Sequence, residues 1–291
     1  MSTGLIYKAL SGFYYINDNG RTIECRAKGR FRFESSSPLV GDIVDYEIDS
    51  NGKGIVKAIH PRKNSFIRPA VANVDALVFV ASTSEPETDP FLIDRVSVIA
   101  KSTGCEFILC INKTDLNPSC NLASVYSKCP FTVCETSAAN GEGIEQLRAA
   151  LKGKRCAFTG NSGVGKSSIL NCLVPGACAP TAEISTHLGR GKHTTRHVEF
   201  YPAGENTYIA DTPGFASFDI VMINDVKTEE LQYDFEEFSP YIGKCRFNDC
   251  AHINEPDCAI RAAVESGTVS KSRHESYKRL YDIVKNNKPW N

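Results

Sequence analysis

Residues 160–168 have the spacing of a phosphate-binding loop. They read GNSGVGKSS, so Gly160 and Gly165 enclose four residues, and Lys166 and Ser167 follow at once. In such a loop, backbone N–H groups and the start of the next helix face the phosphate oxygens. The lysine reaches the outer phosphates, and the serine hydroxyl binds Mg²⁺. The candidate nucleotide-binding residues here are Gly160, Asn161, Ser162, Gly163, Val164, Gly165, Lys166, Ser167 and Ser168.

The flanking residues support this interpretation. A strand-like run at 156–159 precedes the loop, and a helical run at 169–173 follows it. This strand–loop–helix context is the one in which phosphate-binding loops occur. A Gly/Ser turn with a surface lysine is the alternative, and the context argues against it.

A second motif, NKTD at 112–115, is selective for guanine. It directly follows the apolar strand 106–111, and open α/β sheets bind ligands at the carboxyl ends of their strands. A carboxylate at Asp115 accepts hydrogen bonds from N1–H and the exocyclic amine of guanine, a pair of donors that adenine lacks. A site built for such donors rejects the analogue without them by about 10⁴-fold or more. The candidate base-binding residues are Asn112, Lys113 and Asp115, with Ser137 and Ala138 after the next strand expected to support the base through a backbone N–H.

Two further segments could sense the terminal phosphate. The run GRGKHTTR at 189–196 contains threonines that could bind Mg²⁺ when a γ-phosphate is present, although a flexible basic loop competes with this interpretation. The strand-like run 207–210 leads into DTPG, in which Asp211 is predicted to contact Mg²⁺ through water and the Gly214 N–H to meet the γ-phosphate. Many GTPases place a water-orienting glutamine next, whereas this chain has Phe215. We therefore predict a low intrinsic rate.

The order of these motifs is unusual. Most GTPases begin with the phosphate loop and end with the guanine motif, but here residues 112–138 precede residues 160–168. A circular permutation produces this order, because the ends of a domain usually lie close together and the same sheet can be entered at another strand. The segment after Asp211 then leads directly into the C-terminal region.

Four metal-ligating side chains are clustered near the C-terminus. Cys245, Cys250, His252 and Cys258 have the spacing C-x4-C-x-H-x5-C. Three thiolates and one imidazole suit a tetrahedral structural zinc site with no open position for catalysis. A cysteine-rich chain offers chance clusters, but the intervening RFND and INEPD are polar and cannot form a core unaided. We predict one structural zinc ion.

The composition limits the class of protein. The 291 residues carry a net charge of −1, so any RNA contact must come from local patches. We find no apolar run of membrane-spanning length and no signal-peptide pattern at the N-terminus, and we predict a cytoplasmic protein without a membrane partner. The 12 cysteines are then expected to be buried or metal-bound rather than paired in disulfides.

The first sixty residues predict a small barrel of the OB or SH3-like type. Two hairpins are indicated, GFYYIN with RTIECRA and DIVDYEI with GIVKAI. Between them, the basic and aromatic run KGRFRF at 28–33 could stack on single-stranded RNA, or it could be a solvated loop whose phenylalanines belong to the core. Residues 60–70 are interpreted as a linker.

The middle of the chain alternates strands with helices. Strands are predicted at 76–81, 106–111 and 131–136, and helices at 91–101 and 144–151. This alternation is typical of a parallel sheet covered on both faces.

A final helix is predicted at 271–288. Leu280, Ile283 and Val284 share one side of it. Its basic residues could form a solvated face or dock on RNA phosphates. They are Lys271, Arg273, Lys278, Arg279 and Lys285.

Together, the permuted order, GNSGVGKSS, GRGKHTTR, DTPGF and the Cys/His cluster behind a small barrel resemble the ribosome small-subunit-dependent GTPase A (RsgA) family over essentially the whole chain. The resemblance implies an OB-type RNA-binding domain at 1–66, a circularly permuted α/β GTPase domain at 67–222 and a zinc-binding helical domain at 223–291. It implies a cytoplasmic bacterial factor that binds the small ribosomal subunit and its rRNA and assists late maturation. Such a factor hydrolyses GTP to GDP when bound, and hydrolysis drives its release. We expect a monomer.

The resemblance also points to a catalytic residue. His193 would orient or activate water once the ribosome orders the loop that carries it. Thr195 is our candidate for a magnesium ligand beside Ser167, although the sequence does not decide between Thr195 and Thr194.

Two other classes of function compete with this one. A P-loop ATPase or small-molecule kinase is opposed by the guanine motif. An RNA-binding nucleotide switch with little hydrolysis is the second alternative.

Overall fold

The computed structural model describes residues 1–18, 20–27, 31, 37–49, 52–67, 69–117, 121–177, 198–211 and 226–286. The chain divides into two units that alternate along the sequence. The first contains Met1–Ala76, Leu151–Thr159 and Lys166–Phe215, and the second contains Leu77–Ala150, Gly160–Gly165 and Ala216–Asn291.

The first unit begins with a closed five-stranded barrel. Its strands are β1 (Ser2–Leu10), β2 (Phe13–Asp18), β3 (Arg21–Ala27), β4 (Ile43–Ile48) and β5 (Gly54–Ile59). They follow the order β1-β2-β3-β5-β4, and β4 pairs again with β1 to close the barrel. Among these five described strands, β3 and β5 run parallel, and the other pairs run antiparallel. The alternating apolar side chains point inward, where Ile6, Ile16, Val44 and Val56 are fully buried. Both predicted hairpins are confirmed, whereas β1 was not predicted.

One residue of the basic and aromatic run is described. Phe31 is buried, which agrees with the alternative that this ring belongs to the core. Lys28, Gly29, Arg30, Arg32 and Phe33 lie outside the described residues.

The predicted linker is wrong in part, because it contains a small hairpin. Strands β6 (Ser65–Ile67) and β7 (Ala70–Ala72) pair antiparallel. Phe66 and Val71 are buried, so apolar burial orders a segment whose prolines and basic residues indicated a loop.

The second unit contains the predicted alternation of strands and helices. Its elements are β8 (Ala76–Ser82), α1 (Pro90–Ser102), β9 (Glu106–Asn112), α2 (Leu122–Tyr126), β10 (Thr132–Glu135) and α3 (Ile144–Leu151). The strand order is β10-β9-β8, and β9 and β10 are parallel. Every residue of β8 is buried. Asp89 caps α1 by accepting a hydrogen bond from the Phe91 N–H at 2.9 Å.

The remaining elements of the first unit begin with the strand before the phosphate loop. They are β11 (Arg155–Thr159), α4 (Lys166–Leu173), β12 (Glu199–Gly204) and β13 (Thr207–Asp211). β11 and β13 are parallel, while β12 and β13 form an antiparallel hairpin. β12 also pairs with β1 of the barrel, where Lys8 and Glu199 form an ion pair at 2.9 Å. β12 was not predicted.

The C-terminal part of the second unit is helical. It contains α5 (Leu231–Asp234), a 3-10 turn (Glu236–Phe238), α6 (Ala259–Glu265) and α7 (Lys271–Asn286). The rings of Phe235, Phe238 and Tyr277 pack together with centroids 5.2–5.3 Å apart. The predicted last helix is confirmed up to Asn286. None of the helices in the described ranges has the length and apolar character needed to cross a membrane.

A buried arginine anchors α7. Arg273 is 1% exposed, and its guanidinium donates to Asp94 Oδ1 at 2.9 Å and to Glu237 through Nε at 2.6 Å and Nη2 at 3.1 Å. Burial alone would lower the pKa of Arg273, but the two carboxylates outweigh it and raise the pKa. Our assignment of Arg273 to a face open to solvent or RNA is therefore wrong, because α1 and the 3-10 turn supply buried partners.

Candidate nucleotide site and metal centre

The phosphate loop depends on two glycines where other chain segments come close. Gly160 and Gly165 have φ values of 136° and 96°. A Cβ on Gly160 would lie 2.3 Å from the Val80 carbonyl oxygen, and a Cβ on Gly165 would lie 2.2 Å from Asn112 Nδ2. Both positions therefore require glycine.

Asn112 ties the guanine motif to the phosphate loop within the second unit. Its side chain is buried, with Nδ2 donating to the Val164 carbonyl oxygen at 2.9 Å. Its Oδ1 accepts from the Ala138 N–H at 3.1 Å. One amide thus joins three segments that were predicted separately to bind nucleotide, and both ends of that amide are occupied.

Lys113 and Asp115 follow the end of β9 and have different surroundings. Lys113 has φ 64°, and its Nζ donates to the Glu85 carbonyl oxygen at 2.6 Å. Asp115 is exposed, so its carboxylate is accessible to the edge of a base. Ser137 is buried, and its N–H donates to the Glu142 carbonyl oxygen at 3.0 Å.

The other candidate residues are described to different extents. Lys166, Ser167 and Ser168 form the first turn of α4, directly after Gly165. The Asp211 backbone ends β13 in register with Phe158 of β11. The remaining candidates lie outside the described residues, and they are His193, Thr194, Thr195, Gly214 and Phe215.

The Cys/His cluster has the dimensions of a tetrahedral metal site. The ligand atoms of Cys245, Cys250, His252 and Cys258 all lie within 4.8 Å of one another. Cys245 Sγ lies 3.8 Å from Cys258 Sγ, and the two sulfurs are 3.5 Å and 3.4 Å from His252 Nδ1. Ordinary zinc–ligand bonds at tetrahedral angles give sulfur–sulfur and sulfur–nitrogen separations of about 3.8 Å and about 3.5 Å. The four residues therefore fit one metal ion.

The imidazole is held in the tautomer that a metal needs. His252 Nε2 lies 2.8 Å from Gln232 Oε1. Because an amide oxygen only accepts, Nε2 must carry the hydrogen, and the Nδ1 lone pair faces the sulfurs. Burial lowers the pKa of His252, which favours the neutral ring that can ligate a metal.

Other contacts fix the loop that carries this histidine. His252 has φ 62°, and its carbonyl oxygen accepts from His274 Nε2 at 2.7 Å. Tyr277 donates its hydroxyl to the Ala251 carbonyl oxygen at 2.9 Å. Burial alone would raise the pKa of Glu255. The carboxylate accepts hydrogen bonds from backbone N–H groups, including those of residues 251, 253 and 254, and these bonds lower its pKa. None of these supports was predicted, because their partners are up to 26 residues away in sequence.

Burial raises the pKa of the Cys250 thiol to about 12 and also raises that of Cys258. A metal that binds these sulfurs as thiolates must therefore displace protons. The Ala259 N–H, which donates to Cys245 Sγ at 3.4 Å, would stabilise a thiolate at that position.

Known proteins match the chain over its whole length. The family model described as RsgA GTPase matches residues 59–221, and that described as RsgA N-terminal domain matches residues 3–56. The chain is 43% identical over 285 residues to the small ribosomal subunit biogenesis GTPase RsgA of Caldanaerobacter subterraneus subsp. tengcongensis, covering 97% of this chain and 95% of that protein. The protein of the same name from Geobacillus sp. (strain WCH70) is 42% identical over 295 residues, which cover 99% of each chain.

Two solved structures are also similar. YjeQ from Thermotoga maritima superposes with a TM-score of 0.82 at 35% identity, covering 97% of this chain and 98% of that chain. YloQ, a circularly permuted GTPase, superposes with a TM-score of 0.81 at 34% identity, covering 100% of this chain and 97% of that chain. The predicted fold class is thereby confirmed: an OB-type barrel, a permuted GTPase domain and a C-terminal Cys/His region that could bind a metal. By family model, sequence identity and structure alike, this chain belongs to the RsgA GTPase family.

Proposed function

We propose that this chain is a GTPase of small ribosomal subunit maturation. It would bind the small subunit and its rRNA, hydrolyse GTP to GDP while bound, and use hydrolysis for release. The observation that carries the proposal is the Asn112 amide, which links the guanine motif at 2.9 Å to the phosphate loop and at 3.1 Å to Ala138. The names of the relatives, small ribosomal subunit biogenesis GTPases, supply the substrate class and the partner.

Each predicted nucleotide contact has a proposed role. Asp115 would accept from the two guanine donors, and Lys113 would pack its stem along the base. The N–H groups of 160–165 would hold the phosphates, with Lys166 on the outer oxygens. Asp211 and Gly214 would sense the γ-phosphate. Mg²⁺ bound with GTP would neutralise phosphate charge, and Ser167 and Thr195 are the side chains that we propose hold it.

Hydrolysis is proposed to depend on the bound subunit. Phe215 stands where many GTPases have a water-orienting glutamine, so turnover without the subunit should be low. His193 is our candidate for orienting the attacking water. If His193→Ala left subunit-stimulated turnover intact, this assignment would be wrong.

The metal centre is proposed to hold one structural zinc ion. Three sulfurs and one imidazole nitrogen lie within 4.8 Å of one another, and as four ligands of one ion they would leave no position for a substrate. The domain boundaries that we propose are 1–66, 67–222 and 223–291. A cytoplasmic monomer remains our expectation.

The alternative of an RNA-binding switch with little hydrolysis is not favoured, because the chain belongs to a GTPase family. An ATPase or kinase is opposed by the exposed carboxylate of Asp115 after β9.

The deciding experiment measures GTP hydrolysis with and without isolated small ribosomal subunits, with ATP as the control nucleotide. We expect slow hydrolysis of GTP alone, a large rise on adding subunits and no comparable turnover of ATP. Equal turnover of ATP and GTP, or no stimulation by subunits, would reject the proposal.

A further inference from the structure

The segment that begins at the end of β8 and runs toward α1 contacts both the guanine motif and the phosphate loop. This segment, Ser82–Thr88, is called the base-side bracket below, and it belongs to the second unit with the guanine motif and residues 160–165 of the phosphate loop. Hydrogen bonds also link its residues to one another. The Ser82 N–H donates to Thr88 Oγ1 at 2.9 Å, and Ser82 Oγ donates to the Ser84 carbonyl oxygen at 2.7 Å.

The bracket holds the guanine motif through several hydrogen bonds. Thr83 Oγ1 donates to the Lys113 carbonyl oxygen at 2.7 Å, and the Thr83 carbonyl oxygen accepts from Asn117 Nδ2 at 3.0 Å. The Thr83 N–H donates to the Asn112 carbonyl oxygen at 3.2 Å. The Lys113 ammonium donates to the Glu85 carbonyl oxygen at 2.6 Å. The bracket therefore fixes both ends of Lys113, its backbone and its charged tip.

The bracket also touches the phosphate loop. A Cβ built on Gly163 would lie 3.2 Å from Cδ and 3.4 Å from Cγ of Pro86, so the proline ring packs beside this glycine. Pro86 directly follows the carbonyl that Lys113 uses. The contact with Gly163 therefore lies one residue away from the carbonyl group that holds the lysine tip.

We propose that the base-side bracket is a positioning element for the nucleotide base, with Pro86 acting through Glu85 and Lys113. A free lysine would lose much of its rotamer freedom when its stem packed on a base. In this chain the Lys113 backbone and ammonium group are already hydrogen-bonded without nucleotide, which lowers the cost of binding. Because a base is common to GDP and GTP, the bracket should strengthen binding of both equally without changing the chemical step. This inference rests on the proposed nucleotide site.

The test compares Pro86→Ala, Lys113→Met and the double variant. The dissociation constants of GDP and GTP are measured by titration, and kcat is measured at saturating GTP with small subunits. We expect Pro86→Ala to raise both dissociation constants by the same factor, about threefold to tenfold, with kcat unchanged. In the Lys113→Met background, Pro86→Ala should change the two dissociation constants by less than about twofold. The effects of two residues that act through the same contact do not add, because the first substitution has already removed that contact. Glu87→Ala, at an exposed position of the same bracket, is the matched control and should bind like wild type.

Three results would overturn the proposal: unchanged dissociation constants in Pro86→Ala, a full Pro86 effect in the Lys113→Met background, or a fall in kcat without a change in binding. If Pro86→Ala does not fold, Thr83→Val replaces it, because it removes only the hydroxyl that holds the Lys113 backbone. A wild-type chain that binds neither nucleotide would reject the proposed function and the bracket together. Normal wild-type binding with no response to these variants rejects the bracket alone.

Discussion

The guanine-side nucleotide site and the metal centre are assembled in opposite ways. The first joins residues up to 52 positions apart in sequence, as in the hydrogen bond from the Asn112 side chain to the Val164 carbonyl oxygen, yet its segments lie at strand ends or in tight turns. The metal ligands span only 13 positions between Cys245 and Cys258, but their orientation depends on Gln232, His274 and Tyr277 from outside that span. A parallel sheet aligns distant motifs automatically, whereas a short polar loop needs outside support.

Removing the metal should have the largest effect. We expect Cys250→Ser to lose stoichiometric zinc and to destabilise the C-terminal helices by several kcal/mol, because the loop between the ligands has little core of its own. Metal analysis and thermal unfolding would measure both losses. Cys172→Ser, a cysteine outside the cluster, should retain zinc. Full zinc in the Cys250 variant would contradict the four-ligand assignment.

A change in the base-reading carboxylate should affect binding and leave folding intact. Asp115→Asn removes the charge from both hydrogen bonds and replaces one acceptor oxygen by an NH2 donor that faces the guanine amine. Since such charge-assisted bonds are worth about 1.5–3 kcal/mol each, GTP affinity should fall by about 100-fold or more. Xanthine nucleotide, which offers an acceptor in place of the amine, should recover part of the affinity. Glu145→Gln, an exposed carboxylate on α3, serves as the control. Titrations in which xanthosine triphosphate brings no recovery would count against the role of Asp115.

Replacing the buried arginine tests whether its ion pairs stabilise the packing of α7. Arg273→Met leaves Asp94 and Glu237 without their cation, and we expect the free energy of unfolding to fall by about 3–5 kcal/mol. Urea titration would measure the change. Lys271→Met removes an exposed cation from the same helix and should cost less than about 1 kcal/mol. Similar losses of unfolding free energy in the two variants would show that the buried ion pairs stabilise the protein no more than an exposed lysine does.

The smallest of these effects concerns the hydrogen bond behind the metal ligand. Gln232→Leu removes the acceptor for His252 Nε2–H, and zinc affinity should fall by about 10-fold to 100-fold in competition with a chelator. Gln232→Glu keeps an acceptor and should bind zinc at least as tightly as wild type. Equal affinity in all three proteins would mean that the rest of the loop orients the imidazole alone.

The loop geometry of the candidate nucleotide site could be predicted because its motifs are local. Gly160 and Gly165 are required by backbone conformation and close approach, and such requirements leave a fixed spacing in the sequence. The bracket left no comparable signal, since Lys113 uses a backbone carbonyl of Glu85 that any residue would supply. The short strands β6, β7 and β12 were missed because their order comes from burial and from pairing with distant strands.

By itself, the sequence determined the permuted motif order, the barrel hairpins and a Cys/His cluster that could hold a metal ion, since spacing and side-chain chemistry carry that information. Only the tertiary structure decided which polar groups support them. Arg273 is charged like its helical neighbours, but its burial between Asp94 and Glu237 makes it an anchor and not a surface residue. Gln232 and Pro86 likewise matter because of contacts with residues that are distant in sequence, His252 and Gly163. Burial and long-range pairing depend on which distant segments pack together, and the local pattern of residues does not specify those contacts.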